Sequence, residues 1–361
     1  MRISLFNEVP LKTVIVSSLK GAYTVWGDGD KLFPLKSTDA IYLSMYDGQI
    51  LMRNAEKPIG YFAKVHIECA DENAIIRIKP VEPAKDGRQY NNNLDISIAF
   101  NRLLLVNDVD PDNYVAGVVD AETGPNAEPE LYKAQSVLAR TYLYKSITKH
   151  ESEGFQLCDG EHCQAYKGRS NRNPFIREAT KATSGLVVID QDSSFITAAF
   201  HANCGGNTES AENAWLSPKS YLIPVKDPFC QNAPAARWSV TVPLSEWRTY
   251  LKSHGIKNAV KTAYINFNVV QTERHQYYVL GKDSVPYKQI RSDYKLRSSF
   301  FSVSATQKEV TFNGRGYGHG VGMCQEGAIQ MAKIGYKYNE IIQFYYKGVQ
   351  IVNIRSLSNS L

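Results

Sequence analysis

Pro129-Glu130-Leu131-Tyr132-Lys133-Ala134-Gln135-Ser136-Val137-Leu138-Ala139-Arg140-Thr141-Tyr142 is the stretch on which the fold class turns. Leu131, Ala134, Val137, Leu138, Thr141 and Tyr142 recur at steps of three and four, the spacing that lines one face of a helix. Pro129 suits a first turn, where its missing N–H costs nothing, so a helix is predicted from 129 to about 149. Upstream the pattern changes. Residues 13–16, 23–26, 40–43 and 74–78 alternate apolar and polar positions between Gly, Asp and Asn turns, as strands half-buried in a sheet do. Residues 103–106 read as a buried strand. Downstream, a helix over 175–184 stops at Gly185, and strands over 186–189 and 195–200 flank a polar turn. A mostly β section with a short helix over 244–254 runs from about 238 to 308. A glycine-rich loop (314–322), a helix over 325–334 stopped by Gly335, and a last helix capped by Asn339 complete the chain.

The class implied is α+β, with mixed helices and antiparallel sheets. Residues 1–85 form a β-rich N-terminal subdomain with a supporting role, a Pro-, Asp- and Asn-rich loop over 80–93 marks the boundary, and 94–361 form the domain that carries chemistry, with the section around 238–308 inserted in it. The 361 residues are 43% apolar, enough for a sizeable core, which excludes general disorder. Lys and Arg number 41 against 36 Asp and Glu, net +5, without the basic run that would mark a nucleic-acid partner. No apolar stretch reaches about 18 residues, so no transmembrane helix is expected. The first six residues lack the apolar core of a signal peptide, and a leader, if there is one, lies outside the given chain.

Four clusters carry chemistry. Glu122 closes the apolar run 114–121 ahead of Gly124-Pro125, where a carboxylate at a cleft mouth loses solvent on one side. Partial burial raises its pKa and suits it to general-acid work. The plain alternative is a Glu paired with Lys133 or Arg140. His201-Ala202-Asn203-Cys204-Gly205-Gly206 brings backbone amides and small polar groups to one rim, suited to hydroxyl-rich ligands. In Gly314-Arg315-Gly316-Tyr317-Gly318-His319-Gly320 alternating glycines permit close backbone approach, with Arg315 and His319 projecting. Tyr317 and Gln325 complete the candidate binding set. The Gly-x-Gly-x-x-Gly register of a dinucleotide site is missing. His150, Cys158, His162 and Cys163 have the composition of a structural zinc knuckle, with a Cys158–Cys163 disulfide or free thiols as the rivals. Cys204 and Cys230 are a further pair for a disulfide. No organic cofactor is expected.

Taken in order, Tyr114-Val115-Ala116-Gly117-Val118-Val119 with Ala121-Glu122, then 133–142, His201-Ala202-Asn203-Cys204-Gly205-Gly206, Asp227-Pro228-Phe229-Cys230 and 314–323 resemble the SpoIID/LytB family, which acts on bacterial peptidoglycan. The resemblance runs from about 103 to 352, interrupted near 238–308. It implies a lytic transglycosylase that cuts the MurNAc–GlcNAc bond of peptide-free glycan strands and leaves 1,6-anhydroMurNAc ends. Glu122 would be its acid, with Lys133 and Arg140 also implicated. Asp120 would share a face with Glu122 if the segment were a strand, and a structural role is expected for it. The resemblance further implies a zinc held by His150, Cys158, His162 and Cys163, glycan strands as partner, and a place in the cell envelope, periplasmic or extracellular. The LytB side implies a second reading, a non-catalytic glycan-binding enhancer of an amidase. Two departures stand out: Thr123-Gly124-Pro125 where the family often has Met-Pro, and Asn203-Cys204 in place of a Ser-rich loop.

Overall fold

The computed structural model describes residues 1–37, 39–71, 73–215 and 217–357. They form two compact units, 1–187 closed by a segment from Val352, and 188–351. The architecture is α+β, with mostly antiparallel sheets and a β-rich N-terminal region.

In the first unit, one sheet has the strand order Leu157–Cys158, Arg2–Leu5, Arg102–Asp108, Asn93–Ala99, Lys64–Cys69, Tyr23–Gly27, Asp30–Leu35. A second has the order Arg88–Asn91, Ile75–Glu82, Thr13–Lys20, Ala40–Tyr46, Gln49–Arg53, Pro58–Phe62. Alternation does the work in Thr13–Lys20, where Val14, Val16 and Ser18 turn inward. Arg102–Asp108 is buried along nearly its whole length and pairs on both edges. Both sheets share one core with the helices, from Ile3, Val16, Leu43 and Ile78 through Leu105 to Val118, Ala139 and Ile176. The 80–93 segment is not a loop. Most of it is strand, because Arg88–Asn91 pairs with Ile75–Glu82 and satisfies backbone groups that the polar composition made look solvent-bound.

Three helices follow: α1 (Pro111–Thr123), α2 (Pro129–Lys145) and α3 (Pro174–Ala182). Each starts on proline. Asp110 caps α1 by accepting from the N–H groups of Asp112 (2.9 Å) and Asn113 (3.2 Å). Residues 114–120 of α1 are all buried. Gly117 lets it approach its neighbour, since a Cβ there would lie 2.3 Å from the Gly168 carbonyl and 2.5 Å from the Tyr166 ring.

In the second unit, Arg237–Pro243, Glu309–Arg315 and Phe301–Ala305 form an antiparallel sheet over an aromatic core. Trp247, fully buried, packs against Phe312 (5.2 Å) and Tyr278 (5.5 Å). The expected strand over 195–200 is reduced to a bridge at Phe195 and the two-residue strand Phe200–His201, which pairs in parallel with Met323–Cys324. The helix Tyr338–Tyr345 begins after Lys337, whose N–H donates to Glu340, so Asn339 lies inside it rather than capping it.

Candidate functional site

Glu122 sits in the last turn of α1, half-buried, where Gly124 ends the helix. The N–H of Ala165 donates to its Oε1 at 3.0 Å. Burial raises its pKa above the ordinary carboxylate value, and the charge of Glu161 adds to the rise. The Ala165 hydrogen bond and the charge of Lys167 pull the other way. The turn beyond it is braced: Tyr132 donates to the Gly124 carbonyl (3.1 Å) and accepts from Ala127 N–H (2.9 Å), and Asn173 donates to the Pro125 carbonyl (2.7 Å).

Asp120 does not share a face with Glu122. On a helix two residues are about 200° apart, and Asp120 points the other way, buried, where it accepts from Arg172 Nε (2.6 Å) and Asn171 N–H (3.1 Å). Lys133 donates to Glu130 at 2.6 Å, one turn back. Arg140, 1% exposed, donates to the carbonyls of Thr183 (2.8 Å), Thr180 (3.2 Å) and Leu186 (3.2 Å) and to Asp112 Oδ1 (2.7 Å). It thereby closes the C-terminal end of α3 and ties it to the first turn of α1.

His150, Cys158, His162 and Cys163 converge with their donor atoms within 4.8 Å of one another. Cys163 Sγ is 3.5 Å from His150 Nε2 and 4.0 Å from His162 Nδ1, and Cys158 Sγ is 3.8 Å from His162 Nδ1. Edges of about 3.5–3.8 Å are those of a tetrahedron around zinc with thiolate and imidazole ligands. His150 turns its other nitrogen to Glu153 Oε1 at 2.5 Å, as the outer carboxylate of a metal-bound histidine does. The residues present therefore fit a four-coordinate metal ion. All six cysteines are free thiols, with no Cys158–Cys163 bridge. The loop is anchored at its start: Leu157–Cys158 pairs with Ile3 and Ser4, and Asp159 accepts from the N–H groups of Phe6 (2.7 Å) and Asn7 (3.0 Å) and from Arg88 (2.8 Å). Cys163 lies two residues before Ala165, so the cluster that fixes Cys163 also fixes the donor to Glu122.

The remaining candidates lie in the second unit. His201 is buried, its Nδ1 3.1 Å from the Val321 carbonyl and its Nε2 without a partner among the described residues. Its ring is 5.5 Å from that of His319, which accepts from Val321 N–H at 3.0 Å. Burial, with neighbouring positive groups, drives the His201 pKa well down and that of His319 to about 4, so both rings are neutral near pH 7. Asn203, fully buried, belongs to the loop itself: it donates to Glu326 (2.5 Å) and the Cys230 carbonyl (3.0 Å) and accepts from Gly205 N–H (2.7 Å). Gly316 adopts φ +78°, and a Cβ there would lie 2.5 Å from the Asn203 carbonyl. Gly205, Gly206 and Arg315 line a cleft of about 670 Å³ with Lys226, Gln231 and Phe300. Arg315 stacks over the Phe300 ring at 3.8 Å and donates to the Gln271 carbonyl at 2.5 Å. Tyr317 is 50% exposed on the glycine-rich loop, and Gln325 opens the helix Gln325–Lys333.

Sequence reasoning missed Ala165, Tyr132 and Asn173 around Glu122, and the buried Arg274, which donates to the carbonyls of Cys204 (2.8 Å) and Asn207 (2.9 Å). A backbone donor leaves no mark on composition, and an arginine in an irregular segment reads as solvated.

Residues 100–189 match the family model for the stage II sporulation protein SpoIID. The chain is 29% identical over 272 residues to an uncharacterised protein of Brachyspira hyodysenteriae, covering 74% of this chain and 73% of that one. It is 29% identical over 289 residues to stage II sporulation protein D of Bacillus subtilis, covering 75% and 83%. To the amidase enhancer of Bacillus subtilis it is 30% identical over 292 residues, covering 66% of this chain and 40% of that one.

Proposed function

The chain belongs to the SpoIID/LytB family, and from that premise we propose that it is a lytic transglycosylase acting on peptide-free glycan strands of peptidoglycan in the cell envelope. The observation that carries the reading is Glu122: a half-buried carboxyl at a helix end, its pKa raised by burial, held by one backbone N–H. In this mechanism protonated Glu122 gives its proton to the glycosidic oxygen as the bond from C1 of MurNAc breaks. The resulting carboxylate takes the proton of the muramyl 6-hydroxyl as that oxygen bonds to C1. The product is a 1,6-anhydro ring, no water is consumed, and Glu122 returns to its starting state. One carboxyl suffices, unlike the pair in hydrolytic glycosidases.

Arg140 and Lys133 serve as positioning residues in this reading, since each is engaged with the helix layer. A zinc ion would be held by His150, Cys158, His162 and Cys163. With four protein ligands such an ion orders the loop and does not activate water. Neutral His201 and His319, the Gly205-Gly206 rim, Arg315, Tyr317 and Gln325 are the proposed glycan contacts, the exposed Tyr317 ring being suited to stacking on a sugar face. The sheets of residues 1–85 act as the support on which α1 packs.

The second reading, a non-catalytic enhancer that works with an amidase, is favoured by the likeness to the amidase enhancer. One experiment separates them. Peptide-free glycan strands are incubated with wild type and with Glu122→Gln, and the products are identified by mass spectrometry. Anhydromuramyl ends from the wild type alone support the transglycosylase; reducing ends indicate a hydrolase; binding without any product supports the enhancer.

A further inference from the structure

Cys204, Asp227, Cys230 and Cys324 also bring their donor atoms within 4.8 Å of one another, and all four side chains are fully buried. Cys204 Sγ lies 3.4 Å from Cys230 Sγ and 3.2 Å from Asp227 Oδ2. These edges are a few tenths of an ångström inside those of a tetrahedral zinc site with sulfur and oxygen ligands, about 3.5–3.8 Å. The four come from three segments: the turn after Phe200–His201, the 227–230 turn, and the N-cap of the helix Gln325–Lys333.

Two further observations point to a cation. Asp227 has no accessible surface and, among the described residues, no lysine, arginine or histidine pairs with it. Its oxygens accept only from neutral groups: Tyr345 OH (3.0 Å), Phe229 N–H (2.8 Å) and the Cys204 thiol. A carboxylate buried this way is costly unless a positive charge offsets it. Cys324 Sγ accepts from the N–H groups of Cys204 (3.3 Å) and Gly327 (3.4 Å), the arrangement that stabilises a thiolate ligand.

We infer that Cys204, Cys230, Cys324 and Asp227 form a second metal site, structural and specific for a thiophilic divalent ion such as zinc. Three sulfurs select against magnesium and calcium, which require oxygen. The protein supplies all four ligands, so the ion holds segments together and does no chemistry. Those segments carry His201, Gly205, Gly206 and Gln325. The proposal is independent of the catalytic reading and of the His150 cluster.

Native mass spectrometry of the full chain, produced with zinc and kept reduced, tests it. The expected result is two zinc ions on the wild type, one on Cys230→Ser, and one on the double variant Cys158→Ser/Cys163→Ser, whose fold is checked by circular dichroism. The double variant decides the matter if Cys230→Ser does not accumulate. A folded double variant without zinc overturns the proposal. So does a single wild-type zinc that Cys230→Ser leaves in place, or a Cys204–Cys230 disulfide in the peptide map of anaerobically handled protein. A single zinc lost in Cys230→Ser upholds this site and removes the other.

Discussion

In the proposed reading, the chemistry of Glu122 rests on one proton. Burial disfavours its charged form, so folded Glu122 holds its proton to higher pH than the unfolded chain does. A carboxyl with a raised folded-state pKa favours folding at low pH, and that contribution is lost as pH rises through the raised value. Two outcomes follow. Formation of anhydro ends should fall as pH rises through the raised value, with the decline lying above the usual carboxylate range, as a pH–rate profile will show. Glu122→Gln should lower product formation at least about a hundredfold. Its stability relative to wild type, measured by urea titration, should improve from acid to neutral pH, because the amide keeps an acceptor for Ala165 N–H without a charge to bury. Arg140 belongs to a different category. Its five donated hydrogen bonds go to the carbonyls of Ser136, Thr180, Thr183 and Leu186 and to the Asp112 carboxylate. Arg140→Met takes the charged donor from Asp112 and a second donor from the Thr180 and Thr183 carbonyls, and should cost about 2–3 kcal/mol. Arg140→Lys should recover only part of this, since one ammonium cannot span the set.

At the scale of elements, α1 sets how close Glu122 comes to the loop that carries Cys163 and Ala165. Gly117→Ala forces a methyl against the Gly168 carbonyl and the Tyr166 ring, and should cost about 1–3 kcal/mol by overpacking. The loop offers a second test. Cys163→Ser, or removal of zinc by a chelator, should leave Glu122 in place but loosen Ala165. Losing that hydrogen bond raises the carboxyl pKa further, so activity should fall and the high-pH limb of the pH–rate profile should move to higher pH. The same elements show what can be read from sequence. The amphipathic period of α2 and the Pro, Gly and alternation signals of the strands locate those elements to within a few residues. α1 is hidden because its buried residues run unbroken from Tyr114 to Asp120 and include Val115, Val118 and Val119. Burial on nearly every side erases the helical period, and β-branched residues suggest a strand. The four residues of the His150 cluster are visible by type and spacing. Asp227 is not visible as a partner of Cys204, because 23 residues of chain separate them and only folding brings them together.

The whole molecule is two units, each with a core of its own. Trp247→Ala removes the centre of the aromatic cluster in the second unit and should cost about 3–5 kcal/mol there. In calorimetry one transition should move to lower temperature while that of the unit bearing Glu122 stays. A single transition that moves as a whole would mean that the two unfold together. The first unit also has a history written into its strand register. Ser4 pairs with Cys158, and Phe6 donates to Asp159, 153 residues further along. Closing so long a loop of disordered chain costs about 4 kcal/mol in entropy, repaid only once the distant partners have been made and docked. On a ribosome, the strands up to Asp108, α1 and α2 all emerge before the loop that carries Cys163 and Ala165. In the proposed reading, Glu122 therefore gains its backbone donor only after α1 and α2 have been made, so the order of synthesis leaves the carboxyl without that partner in the shorter nascent chain.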